Sequence, residues 1–371
     1  MRVLVLNAGS STLKWTLLEG HDRTTIQSGE QEWSARASDG RAQQVRATLR
    51  EVSGFDAVGH RVVHGSTQFR NAVVVDREVR LALESLLDID PLHMPPALAG
   101  IDAVSHEFPA ATQVAAFDTS FHAGMPEAAA GYGLPYEWSE RWGLRRFGFH
   151  GLSIAYSLAR TRALLGLTPR RMIVCHLGSG CSVTALAQGR SVDTTMGFSP
   201  LEGVMMATRC GSVDAGLLLH LQSRHGIGVQ ELLDVLETRS GLLGVSGVSP
   251  DLRRVLEAAA AGAPRARLAY DRFMLSLRRA VGSMAGVLGG VDAVVFTGGI
   301  GENSARVRAD VAGSLEFTGL RLRGNADQPS VPDRVISAPD SAVSVLVVHA
   351  REDLMVLDEV LRLTDATSVP E

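Results

Sequence analysis

Sulfhydryl chemistry is scarce in this chain: Cys175, Cys181 and Cys210 are the only cysteines. None stands at zinc-ligand spacing and an odd number makes a poor disulfide framework, so a reducing, cytoplasmic setting is expected. An excess of positive charge is also lacking, since 36 basic residues face 40 acidic ones and leave a net charge of -4. That excludes the basic face of a general nucleic-acid binder. No stretch reaches the roughly 18 uninterrupted apolar residues of a membrane helix. The apolar part of 284–298 comes closest, but it is glycine-rich and broken by Asp292. The N-terminal run Val3–Leu6 is too short for a signal peptide. Low-complexity segments and charge runs are absent. What remains, 371 residues of which 45% are apolar and 20% charged, is an ordinary globular composition, long enough for two domains with a core each.

The first patterned stretch is VLNAGSSTLK, residues 5–14. An apolar strand stops at Asn7, Gly9 and two serines, and Lys14 follows. A plain β-turn fits, and so does a backbone cradle for an anion with Ser10, Ser11, Thr12 and Lys14 aimed at it. A second stretch repeats the pattern. RVLVLNAGSSTLKWTLLEG (2–20) and RMIVCHLGSGCSVTALAQG (171–189) share an arginine, an apolar strand, a Gly-Ser turn, an alternating strand and a closing glycine. Two related half-folds are expected, each offering one loop to a phosphate. The rest reads as α/β. Helices are expected over 213–223, 229–238, 250–262 (with Ser249 and Pro250 as start signal), 266–288, 304–314 and 351–363. Strands are expected over 292–297 and 343–348. Three prolines and weak periodicity mark 323–340 as loop.

Several short strings carry chemistry. FTGGIGENS (296–304) reads as strand, Gly-rich turn and helix start, where backbone at Gly298, Gly299 and Gly301 can come close to a nucleotide. It lacks the Walker Gly-Lys-Ser/Thr and the dinucleotide Gly-x-Gly-x-x-Gly. GHRVVHG (59–65) puts Arg61 in a strand, and ATRCGSVD (207–214) puts Arg209 in a loop opening a helix. Each arginine fits a structural ion pair, and the two together fit a clamp on a carboxylate and a transferring phosphoryl group. FDTSFH (117–122) ends an apolar strand at Asp118, where open α/β sheets keep working carboxylates. RRFGFHG (145–151) sets His150 between Phe149 and Gly151, the place of a core histidine or of a catalyst.

These strings, together with PLHMPP (91–96), HLGSGCS (176–182), SVDTTMGFSPLEGVMMATRCGSVD (191–214), SGLLGVSGVSPDLR (240–253) and REDLM (351–355), resemble the acetate kinase (acetokinase) family in order along the chain. The resemblance implies an α/β fold of two ASKHA (ribonuclease H-like) domains with a central cleft. Its domains would be 1–122 plus 355–371, and 123–354 carrying most of the nucleotide site. It implies reversible, direct in-line phosphoryl transfer from ATP to acetate, giving acetyl phosphate and ADP. Mg²⁺ (or Mn²⁺) would be the cofactor, and the assembly a homodimer, with no nucleic-acid or membrane partner. His150, Arg209, Asp118 and Arg61 match the catalytic centre. Arg61, Val63, Leu92, Phe149 and Pro200 match the acyl pocket, and Asn7 and Glu352 the metal site. Ser10, Thr12, Lys14, His176, Leu177, Gly178, Ser179 and Gly180 match the phosphate loops. Asp251, Leu252, Arg253, Gly299, Ile300, Gly301, Glu302 and Asn303 match the nucleotide segments.

Residue chemistry agrees with the match. A carboxylic acid is ionised at pH 7 and needs no general base. The work is to hold two anions together, which suits arginines, Lys14 and Mg²⁺. His150 is therefore read as a donor to the transferring phosphoryl, Arg209 as its charge partner, Arg61 as the acyl-carboxylate partner, and Asp118 as orienting substrate or metal. Departures from the family pattern are Ser179 for Asn, Met94 for Asn, Ile154 for His, Ala215 for Pro, and Arg351-Glu352-Asp353 for Asn-Glu-Glu. A propionate or butyrate kinase is the alternative within the class. A non-catalytic ASKHA nucleotide switch is the alternative outside it, though a switch needs only the phosphate loops and not the four catalytic matches.

Overall fold

The computed structural model describes residues 1–9, 12–32, 38–52, 54–324 and 333–367. The chain forms two compact units, residues 1–123, 149–156 and 351 onward, and residues 124–148 and 157–350.

In the first unit, β1 (Arg2–Ala8), β2 (Thr12–Glu19), β3 (Thr25–Glu32), β4 (Ala57–Val62), β5 (Val73–Val74) and β6 (Thr112–Phe117) form one sheet in the order β3-β2-β1-β4-β6-β5. β1 and β2 make an antiparallel hairpin with Ala8 opposite Leu13. β4 runs parallel to β1 and to β6. Side chains alternate across a strand, so β1 divides its apolar residues between two layers. Val3 and Val5 join Ala57, Val114 and Ala116 beneath Val356, Leu357 and Val360 of the closing helix Glu352–Thr367. Leu4 and Leu6 join Leu13 and Val58 beneath Val45 and Leu49 of helix Ser38–Glu51 and Ala103 and Val104 of helix Met94–Glu107.

One polar chain crosses that second layer. His60 Nε2 donates to Gln113 Oε1 at 2.8 Å. Gln113 Nε2 donates to Ser105 Oγ at 2.8 Å, and that hydroxyl donates to the Ile101 carbonyl at 3.0 Å. Burial lowers the His60 pKa from 6.5 to about 4, against the smaller opposing effect of the Gln113 hydrogen bond. The ring is neutral at pH 7.

In the second unit, β7 (Arg171–Leu177), β8 (Cys181–Ala187), β9 (Arg190–Thr194), β10 (Ala293–Thr297), β11 (Arg334–Val335) and β12 (Ser344–Val347) run in the order β11-β12-β10-β7-β8-β9. Read from its other edge, this is the first sheet again. An antiparallel three-strand start, β9-β8-β7, is followed by parallel β10 and β12 and an antiparallel edge strand. The likeness of 2–20 to 171–189 is the opening of one sheet plan used twice, as the hairpin pattern implied. Helix Pro264–Leu288 packs on β7 and β8.

The helices Ala215–His225, Val229–Thr238, Pro264–Leu288 and Ala305–Gly313 and the strands β10 and β12 fall within a few residues of expectation. Four details differ. β8 does not alternate in burial, because both its faces are covered and Cys181–Leu186 are all buried. GGIGEN is no turn: Gly298–Asn303 coils into a short helix directly after β10. The helix expected from 250 starts at Leu252, capped by Asp251, whose carboxylate accepts from the Arg253 N–H at 2.9 Å. The stretch expected as loop, 323–340, contains β11 and a bridge partner at Ser337, while 325–332 lie outside the described residues. Among the described residues no helix is long and apolar enough to cross a membrane.

Candidate active site

The first unit gathers its polar site at the carboxyl ends of parallel strands, where such sheets keep working groups. Asn7 stands opposite Arg61 in the β1–β4 register and opposite Lys14 in the β1–β2 register. Lys14, Asn7 and Arg61 thus form one row across three strands. Asp118 follows β6, its N–H donating to the Val62 carbonyl at 3.0 Å. Glu352 opens the closing helix. That helix lies hard against β4 because residue 59 is glycine; a Cβ there would meet Val356 Cγ1 at 2.4 Å.

Arg61 is the hub. Its Nε and Nη2 fork onto Asp118 at 3.1 and 2.6 Å, its Nη1 donates to Asn7 Oδ1 at 3.0 Å, and Glu352 Oε2 stands 3.3 Å from Nε. The Asp118 side chain is only 1% exposed. Burial works against the guanidinium charge, but Asp118 and Glu352 outweigh it and raise the Arg61 pKa further above its ordinary value. The arginine expected to meet an acyl carboxylate is therefore already engaged by protein oxygens. Two carboxylates against one guanidinium leave the cluster one negative charge in excess. Hard oxygens from Asn7, Asp118 and Glu352 suit Mg²⁺, which takes one or two carboxylates and leaves the remaining positions to phosphates and water. Among the described residues no group of three His, Cys, Asp or Glu side chains forms a metal cage, so the donor set fits a partial shell and not a closed one.

His150 stands beside this cluster in the chain fold, with φ at 59°, a left-handed conformation that a non-glycine residue rarely takes. The following N–H, of Gly151, donates to the Asp118 carbonyl at 2.9 Å. A Cβ at Gly151 would fall 2.1 Å from that oxygen. Of the expected acyl-pocket residues, Val63 and Phe149 are buried and Leu92 half-buried. The Phe149 ring packs edge-on to His64, 5.5 Å between centroids. His93, next to Leu92, has Nδ1 2.9 Å from Asp90 Oδ1.

The second unit holds the other expected residues. Arg209 Nη1 donates to the Pro200 carbonyl at 3.1 Å and lies 3.9 Å from Met206 Sδ. The turn Gly178-Ser179-Gly180 closes with the Gly178 N–H donating to the Gly180 carbonyl at 2.9 Å, as Gly9 closes on the Thr12 carbonyl at 2.8 Å in the first hairpin. Ser179 is exposed, and His176 and Leu177 are buried before it. β7 and β10 run side by side with His176 opposite Thr297. That places the turn next to the start of Gly298–Asn303: a Cβ on Gly178 would sit 3.9 Å from the Gly299 nitrogen. Gly298 itself has φ of 76°, and a Cβ there would press to 2.8 Å from the Leu177 carbonyl oxygen.

Some expected nucleotide residues have structural partners. The Glu302 carboxylate accepts from His349 Nδ1 at 2.6 Å and from the Ala350 N–H at 3.0 Å. Burial pushes its pKa up, but those hydrogen bonds outweigh it and the net shift is downward. Asn303 Nδ2 donates to the Gly299 carbonyl at 2.9 Å. Arg253 pairs with Asp251 at 2.7 Å on the surface, and Leu252 is buried behind them. Lys14 Nζ stands 3.4 Å from Glu30. Ser10 lies outside the described residues.

Sequence reasoning passed over two residues. Arg308 is almost fully buried and donates to the carbonyls of Gly301 and Glu302 at 2.6 and 2.8 Å, holding the glycine-rich helix in shape; an arginine inside an apolar helical repeat was its signal. His122 is the other, fully buried with Nε2 3.1 Å from the Phe149 carbonyl oxygen. Lys14, by contrast, was expected at the first phosphate loop, and it is the single lysine among 36 basic residues.

The chain is similar to known proteins along nearly its whole length. The chain matches the acetokinase family over residues 41–358. A protein from Cyanothece sp. named acetate kinase is 42% identical over 407 residues, covering 99% of this chain and all of that one. The crystal structure of Porphyromonas gingivalis acetate kinase superposes with a TM-score of 0.87 at 34% identity, covering 98% of this chain and 99% of that one. A propionate kinase from Francisella tularensis superposes with a TM-score of 0.87 at 31% identity, covering 96% and 98%. The doubled sheet is thus the ASKHA fold, and with likeness running along nearly its whole length the chain belongs to the acetokinase family.

Proposed function

We propose that this protein is an ATP:acetate phosphotransferase that moves the γ-phosphoryl group of ATP to acetate and runs reversibly. The observation that carries the reading is the Asn7–Arg61–Asp118–Glu352 cluster, four matched residues joined by direct contacts within a kinase fold. Acetate is ionised at neutral pH, so no base is required. The chain's own residues position and neutralise. Asp118 and Asn7 fix Arg61 and take three of its five N–H groups, which leaves two to meet the acyl carboxylate. His150 donates to the transferring phosphoryl, and Arg209 offsets the charge that builds there. The turn Gly178–Gly180 and the helix from Gly298 receive phosphates through backbone N–H groups. Asn7, Asp118 and Glu352 would hold Mg²⁺, which supplies charge neutralisation between the two anions when bound. The unbridged cysteines accord with a cytoplasmic setting. Exposed Leu217 and Leu219 on helix Ala215–His225 accord with a homodimer, which sedimentation velocity checks.

The structural likeness to a propionate kinase makes the three-carbon acid the second reading. Bulky Val63, Leu92, Phe149 and Pro200 favour the shorter chain, and an extra methylene in a tight pocket changes binding by about 1 to 3 kcal/mol. A hydroxamate assay with acetate, propionate and butyrate, run on wild type and Arg209→Ala, tests the whole reading. Acetate is expected to have the highest kcat/KM. Arg209→Ala is expected to lose roughly 10³ in kcat with little change in the KM for ATP. Butyrate equal to acetate, or a variant within tenfold of wild type, would overturn the corresponding part.

A further inference from the structure

We infer that His122 is a positioning residue for His150, clamping the carbonyl on one side of the catalytic histidine so that its ring is held in place. This rests on the reading of His150 given above. His122 ends the short 3-10 turn Ser120–His122, four residues after Asp118, and is fully buried. Its Nε2 lies 3.1 Å from the Phe149 carbonyl oxygen. A carbonyl can only accept, so Nε2 carries the proton and donates. Burial lowers the His122 pKa from 6.5 to about 4, with smaller opposing effects from that hydrogen bond and from Asp118. The ring is thus a neutral donor at working pH.

His150 needs such a clamp. Its φ of 59° is a backbone conformation that L residues avoid, and one that persists only where surrounding contacts over-determine it. Two hydrogen bonds do so. His122 holds the carbonyl before His150, and the Asp118 carbonyl holds the N–H after it at 2.9 Å. Both come from the one segment 118–122. The first residue of that segment grips Arg61 through its carboxylate. One rigid turn therefore fixes the imidazole relative to the Arg61 cluster. A displacement of about 1 Å in a reacting group can cost on the order of 100-fold in rate.

The test compares steady-state kinetics of His122→Leu, His122→Gln, His122→Asn and His150→Ala with wild type. The amide nitrogen of glutamine stands as many bonds from Cβ as Nε2 does, and that of asparagine one bond nearer. His122→Leu and His122→Asn are expected to lose about 10- to 100-fold in kcat with KM for ATP and acetate within about threefold, and His122→Gln to recover to within about fivefold of wild type. Should His122→Leu fail to fold, the glutamine–asparagine contrast carries the same test. Equal kcat in those two variants, or KM shifts as large as the kcat loss, would overturn the inference. A slow His150→Ala beside a fully active His122→Leu would defeat the role of His122 alone. A fully active His150→Ala would defeat the reading of His150 and this inference with it.

Discussion

Arg61 and Asp118 are 57 residues apart in the chain, and their pairing shows what a sequence can and cannot declare about single residues. An arginine inside an apolar strand and an aspartate at the end of another announce themselves, because each is out of place by residue type. That the two meet is set by strand order and register, which only the folded sheet decides. Asn7 and Glu352 were expected at a metal; that both also face Arg61 follows from the same register and from the missing side chain at Gly59. The pairing has a consequence for stability. Breaking a buried pair by removing one partner leaves an uncompensated charge, typically at a cost of about 3 to 5 kcal/mol. Arg61→Ala is therefore expected to lower the urea midpoint clearly, and adding Asp118→Asn to recover part of the loss. If the two effects simply add in the double variant, the pair contributes nothing as a pair.

At the scale of elements, the two hairpins were legible because a Gly-Ser turn between short apolar strands leaves little else to form. GGIGEN was not. Three glycines in six residues oppose helix by about 1 kcal/mol each relative to alanine, so the local signal reads as a turn. Tertiary context overrides it: the left-handed Gly298 is pressed on Leu177, and buried Arg308 ties down the carbonyls at its far end. The start at Asp251 was missed for a smaller reason, since Ser249, Pro250 and Asp251 are all acceptable start signals and the structure uses the last. The hairpins also differ from each other in a testable way. Ser179, exposed in a turn whose backbone closure is intact, stands where the resemblance to the family implies asparagine. Serine offers one donor with short reach, and an amide offers two with longer reach. A lost hydrogen bond to a charged group costs about 1.5 to 3 kcal/mol, less where water fills the gap. Ser179→Asn is expected to lower the KM for ATP by about tenfold at saturating acetate and Mg²⁺. An unchanged or higher KM would mean that Ser179 already performs the asparagine's task.

At the scale of the whole molecule, one sheet plan serves twice, but the two copies do not carry the same buried groups. His60 and His122 both lie in the first unit, and burial lowers each from 6.5 to about 4. An unfolded chain takes up protons on these rings as the pH falls through 6.5, whereas the folded chain does so only near 4. Between those values the unfolded state binds more protons, so stability rises with pH, is complete above 6.5 and is lost as the pH drops toward 4. From pH 7 to pH 5 the loss amounts to about 2 kcal/mol for each ring. Carboxylates held below their ordinary range, such as Glu302 and Asp292, add losses of the same sign at lower pH. Mild acid is therefore expected to loosen the first unit ahead of the second. Hydrogen exchange at pH 7 and pH 5 checks this by comparing amides of β1, β4 and β6 with those of β7, β8 and β10. The first set should lose protection at pH 5 while the second keeps it. His60→Gln, which removes one titrating ring but retains a donor toward Gln113, should show a smaller fall in urea midpoint between the two pH values. A fall as large as that of wild type, or equal loss of protection in both sheets, would exclude these histidines as the acid-sensitive part of the fold.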